Sequence, residues 1–338
     1  MIGINNIYNI DCLEGLKEIK DKSVDLIFTD PPYNIKYKNE KWDSRDDYLE
    51  FMEKVFLECE RVLKNSGSFY FFHNQFNTMA KLNGIIETKT NLTLNSFITW
   101  HKRNLLIKNW GYPSRFKKCC LNKFFQTCEY ILFYTFKGRK TKRDLVHGDK
   151  NNFRSIKDYL IKERDKSNLK VKDLKELLKS HTYRHYFSDS QFSLISEKDY
   201  KILQEHTGNF KKDYKEIREE YEKLKEEYYK RDCYNEFETT FNKFDLEMEN
   251  FIETNLNTYG RVHPCQKPRE VVERFIRISS NKNDLVLDLF SGSGIISKVS
   301  KELGRNFIGF ELDQEYYEKS LEFLKKWITL NQLKIKHF

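Results

Sequence analysis

Short apolar runs alternate with amphipathic segments along the first part of the chain. Five apolar or aromatic runs of strand length cover residues 4–10, 23–29, 67–72, 96–100 and 130–136. Residues 48–64, between two of these runs, repeat apolar side chains at helical spacing. Strands that alternate with helices form open sheets with helices on their faces. The first part of the chain therefore predicts five strands of an α/β sheet.

The pattern changes after this region and then returns. Residues 138–257 are strongly charged and helical in pattern, with few β-branched runs. Farther along, residues 284–290 and 306–311 predict two more strands, with a helix between them. We therefore predict a Rossmann-like sheet of seven strands formed by residues 1–137 and 258–338, interrupted by a mostly helical insertion.

The composition suits an anionic partner and a cytoplasmic location. The chain has 338 residues, a formal charge of +9 and 15% aromatic residues, which fits nucleic acid. A lysine-rich proteome would produce the same charge, so charge alone does not identify the partner. The cysteines form no C-x-x-C pair, which argues for reduced thiols and against a zinc site or a disulfide framework. No run is apolar enough for a membrane span and no signal-peptide pattern is present, so we expect no membrane contact.

A strand, a turn of small residues and a helix follow one another late in the chain. The segment from Asp288 to Gly294 reads Asp-Leu-Phe-Ser-Gly-Ser-Gly, and Glu311 ends the next predicted strand. Glycines let a ligand approach backbone N–H groups, and an acid one strand later can bind ribose hydroxyls. The spacing differs from G-x-G-x-x-G, which does not favour a nicotinamide cofactor. Taken alone, the pattern is a weak signal for a nucleotide-type cofactor.

A second motif, Asp30-Pro31-Pro32-Tyr33, directly follows the apolar run at residues 23–29. Two successive prolines remove two N–H donors and stiffen the loop, which leaves the Pro31 carbonyl free to face a pocket. That carbonyl and an ionised Asp30 could accept both hydrogens of an exocyclic amine. Tyr33 could stack on an extruded base. Ordinary strand-ending turns use the same residue types, but the position directly after a buried strand favours a catalytic role.

With both motifs in this order, the chain resembles the β group of S-adenosylmethionine-dependent DNA amino-methyltransferases. In that family the D-P-P-Y segment precedes the target-recognition region and the F-x-G-x-G segment comes last, a circularly permuted order of the seven-stranded methyltransferase sheet. The resemblance covers residues 1–137 and 258–330. It implies S-adenosylmethionine as the cofactor, double-stranded DNA as the substrate and the insertion as a target-recognition domain.

The resemblance also implies roles for particular residues. Asp30, Pro31, Pro32 and Tyr33 would form the catalytic segment that holds the target adenine. The implied cofactor-binding residues are Asp11, Lys267, Asp288, Phe290, Ser291, Gly292, Gly294 and Glu311. Of these, Asp11 would contact the cofactor adenine, Glu311 the ribose, and Lys267 would lie at the methionine end. An aspartate at the first catalytic position resembles adenine-N6 enzymes, whereas cytosine-N4 enzymes usually carry serine there.

The stretch from Lys102 to Arg143 is strongly basic and contains a single acid, Glu129. Because neutralised phosphates release counterions, this stretch predicts salt-dependent DNA binding. The candidate phosphate contacts are Lys102, Arg103, Lys108, Arg115, Lys117 and Lys118. The interleaved aromatic residues, which could stack on bases or belong to the core, are Trp110, Tyr112, Phe116, Phe124 and Phe125. For the last two, core packing is the favoured interpretation.

Inside the insertion, residues 155–165 and 170–179 predict two helices around a Ser167-Asn168 turn. This spacing is compatible with a helix-turn-helix. A helical hairpin with no DNA role explains the same pattern. The recognition sequence cannot be read from these residues.

Three interpretations of the function remain. The preferred one is an adenine-N6 DNA methyltransferase, acting alone or in a restriction-modification system, with a cognate restriction endonuclease and a homodimer as candidate associations. A second interpretation keeps the cofactor and changes the acceptor to cytosine N4 or RNA. The third is a DNA-binding protein whose methyltransferase fold no longer catalyses, and the intact motifs argue against it. Direct transfer to an amine needs no Lewis acid, so we expect no metal.

Overall fold

The computed structural model divides the chain into two compact units. One unit combines Met1–Arg139 with Thr239–Phe338, and the other is Lys140–Glu238. The residues that the structure describes are 2–36, 43–102, 127–140, 142–180, 182–189, 191–231, 240–241, 249–254 and 262–335. Both sequence motifs belong to the first unit, so the candidate site is built from that unit alone.

The first unit is made of strands and helices that alternate along the chain. Its strands are β1 (Asn6–Asn9), β2 (Val24–Thr29), β3 (Leu63–His73), β4 (Leu92–Lys102), β5 (Cys128–Phe136), β6 (Phe251–Thr254), β7 (Leu285–Asp288) and β8 (Asn306–Glu311). Its helices before the second unit are α1 (Cys12–Lys17), α2 (Tyr48–Val62) and α3 (Phe76–Lys89). The second unit contains α4 (Lys142–Gly148), α5 (Arg154–Lys166), α6 (Val171–Leu178), α7 (Glu197–Thr207) and α8 (Tyr214–Tyr229). The first unit then continues with α9 (Arg269–Ser279), α10 (Ile295–Glu302) and α11 (Gln314–Ile335).

The strands form one mixed sheet in the order β1-β8-β7-β2-β3-β5-β4-β6. Strand β5 runs antiparallel to both of its neighbours, β3 and β4. The other neighbouring strands of this sheet pair in parallel. The late strands β7 and β8 lie between the early strands β1 and β2, so the two parts of the chain that flank the insertion form one sheet, as predicted. The fold is therefore an α/β fold built on one mixed sheet.

The sheet has eight strands within the described residues, whereas the sequence predicts seven. The additional strand, β6, pairs in parallel with β4 at one edge, with Trp100 beside Ile252. It lies inside the predicted insertion. The apolar pattern does not predict it, because its four residues include a charged side chain and the half-exposed Phe251 and so resemble the charged segment around them. Edge strands are often short and charged, which hides them from a search for apolar runs. The sheet unit consequently resumes at Thr239 and not at residue 258.

Apolar side chains cover both faces of the sheet. Along β3, Phe69 and Phe71 belong to one buried cluster, whereas Tyr70 and Phe72 belong to the other. This alternation follows from the two-residue period of a strand. Helix α2 packs on the first face, and helix α9 packs on the second. A sheet covered on both faces exposes its strand ends, where the two sequence motifs lie.

The second unit is helical and has its own apolar core. Phe153, Leu160 and Tyr200 are fully buried in it. Helices α5 and α6 cover nearly the same residues as the two helices predicted at 155–165 and 170–179. Their role in DNA binding stays a prediction. Within the described residues, neither unit contains a helix long and apolar enough to cross a bilayer.

Candidate active site

A cavity of about 440 Å³ lies in the first unit, where the central strands β2, β7 and β8 end. Ligands of open α/β sheets bind outside the carboxyl ends of such strands. The residues predicted for the site that line this cavity are Asp11, Asp30, Pro31, Pro32, Tyr33, Lys102, Lys267, Asp288, Phe290, Ser291, Gly292 and Glu311. The two motifs, which are distant in sequence, therefore share one cavity.

A buried threonine joins the two motif-bearing strands. Strands β2 and β7 pair in parallel, so the turns that follow them start side by side. The hydroxyl of Thr29 donates to Oδ1 of Asp288 at 3.1 Å and accepts from the backbone N–H of Leu289 at 3.1 Å. This pair of hydrogen bonds sets the D-P-P-Y turn against the glycine turn.

Hydrogen bonds of Tyr48 and Asp43, which follow the D-P-P-Y turn in the sequence, stabilise the turn and the two residues after it. The hydroxyl of Tyr48 donates to the Pro32 carbonyl at 2.7 Å. The buried Asp43 accepts the backbone N–H groups of Asn34 and Ile35 at 2.7 and 3.1 Å. These bonds stabilise Asn34 in a left-handed conformation, with φ at 54°, which asparagine tolerates better than most residues. The sequence does not indicate Asp43 as a supporting residue.

Asp30 is held by two side chains at the cavity wall. The Tyr33 hydroxyl donates to Oδ1 of Asp30 at 2.8 Å, and Lys267 Nζ donates to Oδ2 at 2.5 Å. Lys267 also lies 3.3 Å from Oε2 of Glu129, and Lys102 pairs with the other carboxylate oxygen of Glu129. Four charges of alternating sign therefore form one continuous chain. Lys267 contacts the catalytic segment, and its place at the methionine end of a cofactor stays a prediction.

The pKa values in this chain of charges follow from burial and from the neighbouring charges. Burial raises the pKa of Asp30, Lys267 opposes this effect and Glu129 adds to it. Burial would also raise the pKa of Glu129, but Lys267 and Lys102 outweigh it and lower the pKa to about 2. Burial would lower the pKa of Lys267, yet the two carboxylates raise it above its ordinary value. Lys267 and Glu129 are therefore both charged at neutral pH.

Tyr33 is fixed at its ring as well as at its hydroxyl. The ring lies against His73, with 4.7 Å between ring centroids. Burial lowers the pKa of His73 to about 4, so its imidazole is neutral at physiological pH. An aromatic ring held in this way at a cavity wall can stack on a planar ligand.

The glycine turn binds the acid at the end of β8. Gly292 has a φ of 49° and donates its backbone N–H to Oε2 of Glu311 at 2.6 Å. The other oxygen, Oε1, accepts from the backbone N–H of Asp313 at 2.8 Å. Gly294, with φ at 73°, precedes helix α10 and is not among the lining residues. A Cβ there would lie 3.0 Å from Cδ1 of Ile7, so Gly294 permits close packing behind the cavity.

Two residues that line the cavity each have a buried side-chain oxygen without a hydrogen-bond partner in the described part of the chain. Oδ2 of Asp288 and Oγ of Ser291 have no hydrogen-bond partner among the described residues. Burial raises the pKa of Asp288 to about 7, and hydrogen bonds from Phe290 and Thr29 oppose this effect. Buried polar atoms without partners are rare in folded proteins and often mark a ligand site.

The aromatic wall near the glycine turn contains residues that the sequence does not indicate. The ring of His263 packs against Tyr316, with 4.2 Å between centroids, and both line the cavity. His263 also lies 3.7 Å from the place where a Cβ on Gly292 would be. Asp11 accepts the backbone N–H of Leu13 at 2.8 Å, which begins helix α1, and also lines the cavity.

Of the predicted phosphate contacts, Lys102 belongs to the described residues. Lys102 lies on the cavity wall in its ion pair with Glu129, which differs from the exposed phosphate contact that the sequence predicts. The side chain turns inward to pair with the buried Glu129, which is the single acid of the basic stretch. The candidates outside the described residues are Arg103, Lys108, Arg115, Lys117, Lys118, Trp110, Tyr112, Phe116, Phe124 and Phe125. Within the described part of the chain, no group of three or more His, Cys, Asp or Glu could hold a metal ion.

Several curated proteins are similar to this chain over nearly its whole length. The type II methyltransferase M1.MboII of Moraxella bovis is 28% identical over 338 residues, which cover 99% of this chain and 100% of that protein. The DNA adenine methyltransferase YhdJ of Escherichia coli (strain K12) is 27% identical over 321 residues, covering 93% of this chain and 80% of that protein.

Solved structures share the fold at lower identity. The M1.HpyAVI–SAM complex superposes with a TM-score of 0.50 at 19% identity and covers 94% of this chain and 97% of its own. The cytosine-N4-specific PvuII DNA methyltransferase gives a TM-score of 0.51 at 15% identity and covers 94% of this chain and 84% of its own. At these identities the similarity concerns the fold.

A family model described as DNA methylase matches residues 24–322. The match includes the D-P-P-Y turn, the glycine turn and the strands that bring them together. The chain therefore belongs to the DNA methylase family.

Proposed function

We propose that this protein transfers the methyl group of S-adenosylmethionine to N6 of an adenine in double-stranded DNA. The observation that carries the proposal is the shared cavity, in which Asp30 and the glycine turn lie on adjacent strands. A transfer between a base amine and a cofactor needs both groups in one cavity and in line. The adenine would have to leave the duplex to reach it.

The cavity residues fit S-adenosylmethionine. The unpartnered oxygens of Asp288 and Ser291 suit the ammonium group of its methionine part. Glu311, held at the glycine turn, keeps lone pairs for ribose hydroxyls. The aromatic pair His263 and Tyr316 offers an apolar wall for a planar base. The bound cofactor supplies a methyl group that is activated by its positively charged sulfur.

The chain's own residues would hold and orient the target amine. Asp30 and the Pro31 carbonyl, which accepts no hydrogen bond among the described residues, offer acceptors for the two amine hydrogens. Tyr33 would stack on the base. The catalytic contribution of these residues would be orientation and electrostatic stabilisation of the positive charge that develops on the amine.

Adenine is the proposed acceptor because Asp30 occupies the first position of the catalytic segment and a similar protein is named a DNA adenine methyltransferase. Cytosine N4 is the alternative, since a cytosine-N4-specific enzyme shares the fold. The test is to incubate the protein with isotope-labelled S-adenosylmethionine and duplex DNA and to identify the labelled nucleoside by mass. N6-methyladenine supports the proposal. N4-methylcytosine supports the alternative, and DNA binding without transfer contradicts both.

We propose that the unit Lys140–Glu238 recognises the target sequence and that the basic stretch after Lys102 contacts phosphates. The separate core of this unit would let its surface vary without disturbing the sheet. The similar type II methyltransferase M1.MboII suggests a restriction-modification system with a cognate endonuclease. DNA affinity should fall steeply with salt concentration. Replacing Arg115, Lys117 and Lys118 by alanine should reduce the slope of that dependence, measured by fluorescence anisotropy.

A further inference from the structure

We propose that Glu129 and Lys267 are positioning residues that act in opposite directions on Asp30. Lys267 favours the ionised form of Asp30, whereas Glu129 opposes it and shares both Lys267 and the Tyr33 hydroxyl with Asp30. The inference deepens the proposed function and rests on it, because ionised Asp30 is the group that would accept a hydrogen of the target amine. Neither Glu129 nor Lys267 needs to contact the substrate in this role.

The position of Lys267 directs its charge toward Asp30 and Glu129. Its side chain is 5% exposed, and Nζ lies 2.5 Å from Asp30 and 3.3 Å from Glu129. Nζ also lies 4.9 Å from the ring centroid of Phe72 and 5.4 Å from that of Tyr33. A buried ammonium between two carboxylates and two aromatic rings cannot turn to solvent without losing all of these contacts. It is therefore a fixed charge beside Asp30.

Glu129 competes with Asp30 for the same two partners. The Tyr33 hydroxyl lies 2.8 Å from Oδ1 of Asp30 and 3.3 Å from Oε2 of Glu129. A hydroxyl has one hydrogen to donate, so Tyr33 can serve only one carboxylate at a time. Lys267 is likewise shared by the two carboxylates. Glu129 thereby weakens the hold of both partners on Asp30.

Weaker binding of Lys267 and Tyr33 to Asp30 would help Asp30 to act in methyl transfer. When the amine nitrogen gains a methyl group from the sulfonium, the N–C bond forms, the S–C bond breaks and the nitrogen must release one proton. Asp30 is the carboxylate of the D-P-P-Y turn and is placed to accept that proton before it passes to solvent. A carboxylate bound too tightly to an ammonium is a weak base. Lys267 favours the ionised form of Asp30, whereas burial and Glu129 raise the Asp30 pKa and so make the carboxylate a stronger base.

Other titratable groups near Asp30 have to be considered in any pH experiment. Burial raises the pKa of Cys265 to about 11 and the pKa of Tyr48 above its ordinary value, so both are neutral near pH 7. Burial lowers the pKa of His73 to about 4. Asp288, by contrast, titrates at about 7 and interacts with Asp30. The readout must therefore report on Asp30 itself and not on activity alone.

The test is an NMR titration of the Asp30 carboxyl carbon in protein labelled with ¹³C at aspartate carboxyl groups. The signal is assigned by its loss in Asp30→Asn. In Glu129→Gln the titration midpoint of Asp30 should move to lower pH, because a like charge is removed. In Lys267→Met it should move to higher pH, because the opposite charge is removed. Each shift should be about one pH unit or more, the usual effect of a charge at this distance.

Two matched controls remove the same charges elsewhere. Glu273→Gln breaks the pairs of Glu273 with Arg269 and Arg277 on α9, and Lys64→Met breaks the pair of Lys64 with Asp25 at the other end of β2. Both should leave the Asp30 midpoint in place. Lys267→Arg, which keeps the charge, should return the midpoint toward that of the wild type.

The acid limb of methyl transfer should move with the NMR midpoint in each variant. Unmoved midpoints, or shifts in the same direction, in variants that melt like the wild type would overturn the inference. If Lys267→Met does not fold, the isosteric Glu129→Gln decides by itself. If the two variants shift the Asp30 midpoint in opposite directions but the wild type transfers no methyl group, the proposed function is refuted and this charge coupling stands. Methyl transfer with unmoved midpoints would do the reverse.

Discussion

At the scale of single residues, the cavity depends on three carboxyl groups with different surroundings. Asp30 is bound to Tyr33 and Lys267, Asp288 keeps one oxygen without a partner among the described residues, and Glu311 accepts two backbone N–H groups. Burial raises the pKa of each of the three. Their hydrogen bonds differ, so each substitution should affect a different measurable quantity.

Replacing Asp30 should affect the chemical step. In Asp30→Ala the target amine loses an acceptor, so transfer should fall by about 10² or more, the scale of losing one preorganised polar contact. The dissociation constant of S-adenosylmethionine should stay within a few-fold, as measured by calorimetry. Asp46→Ala, at an exposed position of the same loop region, should keep normal transfer. Near-normal single-turnover rates in Asp30→Ala would remove Asp30 from the mechanism.

Replacing Glu311 should chiefly weaken the binding of the cofactor. In Glu311→Ala the ribose loses a charged acceptor, and the N–H groups of Gly292 and Asp313 lose theirs. Hydrogen bonds to charged groups contribute about 1.5–3 kcal/mol, so the dissociation constant should rise by about 10-fold or more in a calorimetric titration. Glu311→Gln, which keeps one acceptor oxygen, should show a smaller change. An unchanged constant in Glu311→Ala would mean that another residue binds the ribose.

The sequence predicts the parts of the site that are contiguous. Asp30 and Tyr33 belong to one short motif, and the glycine turn to another, so their chemistry can be read locally. The bond between Lys267 and Asp30 joins residues 237 positions apart, and one sequence carries no signal for such a pairing. Glu129 stands out as the single acid of a basic stretch. That signal could have suggested the inward turn of Lys102.

At the scale of elements, strands are predicted where burial imposes a clear pattern. The run at residues 23–29 becomes β2, whose residues are almost all buried, because a central strand must be apolar on both faces. Helix α3 is not predicted, although Met79, Leu82 and Ile86 are buried on one face. Its threonine, asparagine and glycine residues are poor helix formers, so packing and not propensity stabilises it.

Gly294 should be needed for packing as well as for its backbone conformation. In Gly294→Ala, the new Cβ would lie 3.0 Å from Ile7 and 3.2 Å from Ser320 at a positive φ. Gly138 has a similar φ of 78° but open space around it. Gly138→Ala should cost about 1 kcal/mol of unfolding free energy from backbone strain. Gly294→Ala should cost about 2–4 kcal/mol, since crowding adds to strain. Equal shifts of the two urea midpoints would show that crowding contributes nothing.

At the scale of the whole molecule, the chain separates a sheet unit from a helical unit with its own core. Composition predicts the change in character between them, because the helical unit is charged and contains few β-branched runs. The role of the helical unit in target recognition stays a prediction. Surface contacts with DNA depend on side chains that leave no periodic pattern in the sequence.

The stability of the whole molecule should depend on pH through Asp288. Its carboxyl has a pKa of about 7 in the folded chain and an ordinary value of 3.8. Between pH 3.8 and about 7 the folded chain binds more protons at Asp288 than the unfolded chain, so the free energy of unfolding falls as pH rises. Above about pH 7 this loss of stability is complete. At pH 8 the free energy of unfolding of Asp288→Asn, measured in urea, should therefore exceed that of the wild type by about 1 kcal/mol or more.

The gain from Asp288→Asn should disappear as the pH approaches 4, where the wild-type carboxyl is protonated in the folded chain. The same variant should bind S-adenosylmethionine more weakly, because it offers an amide where the ammonium needs an acceptor. Parallel pH profiles of stability in the two proteins would contradict this account of Asp288. Glu273→Gln, at the surface of α9, should show the wild-type profile.

The strand order has a consequence for synthesis on the ribosome. Leu26 of β2 pairs with Val286 of β7, so the middle of the sheet joins residues made early to residues made late. Until Asp288 has emerged, a nascent chain has no partner for that side of β2, and an open strand edge attracts chaperones or other nascent chains. The cavity is therefore complete only after residues 285–311 have been synthesised.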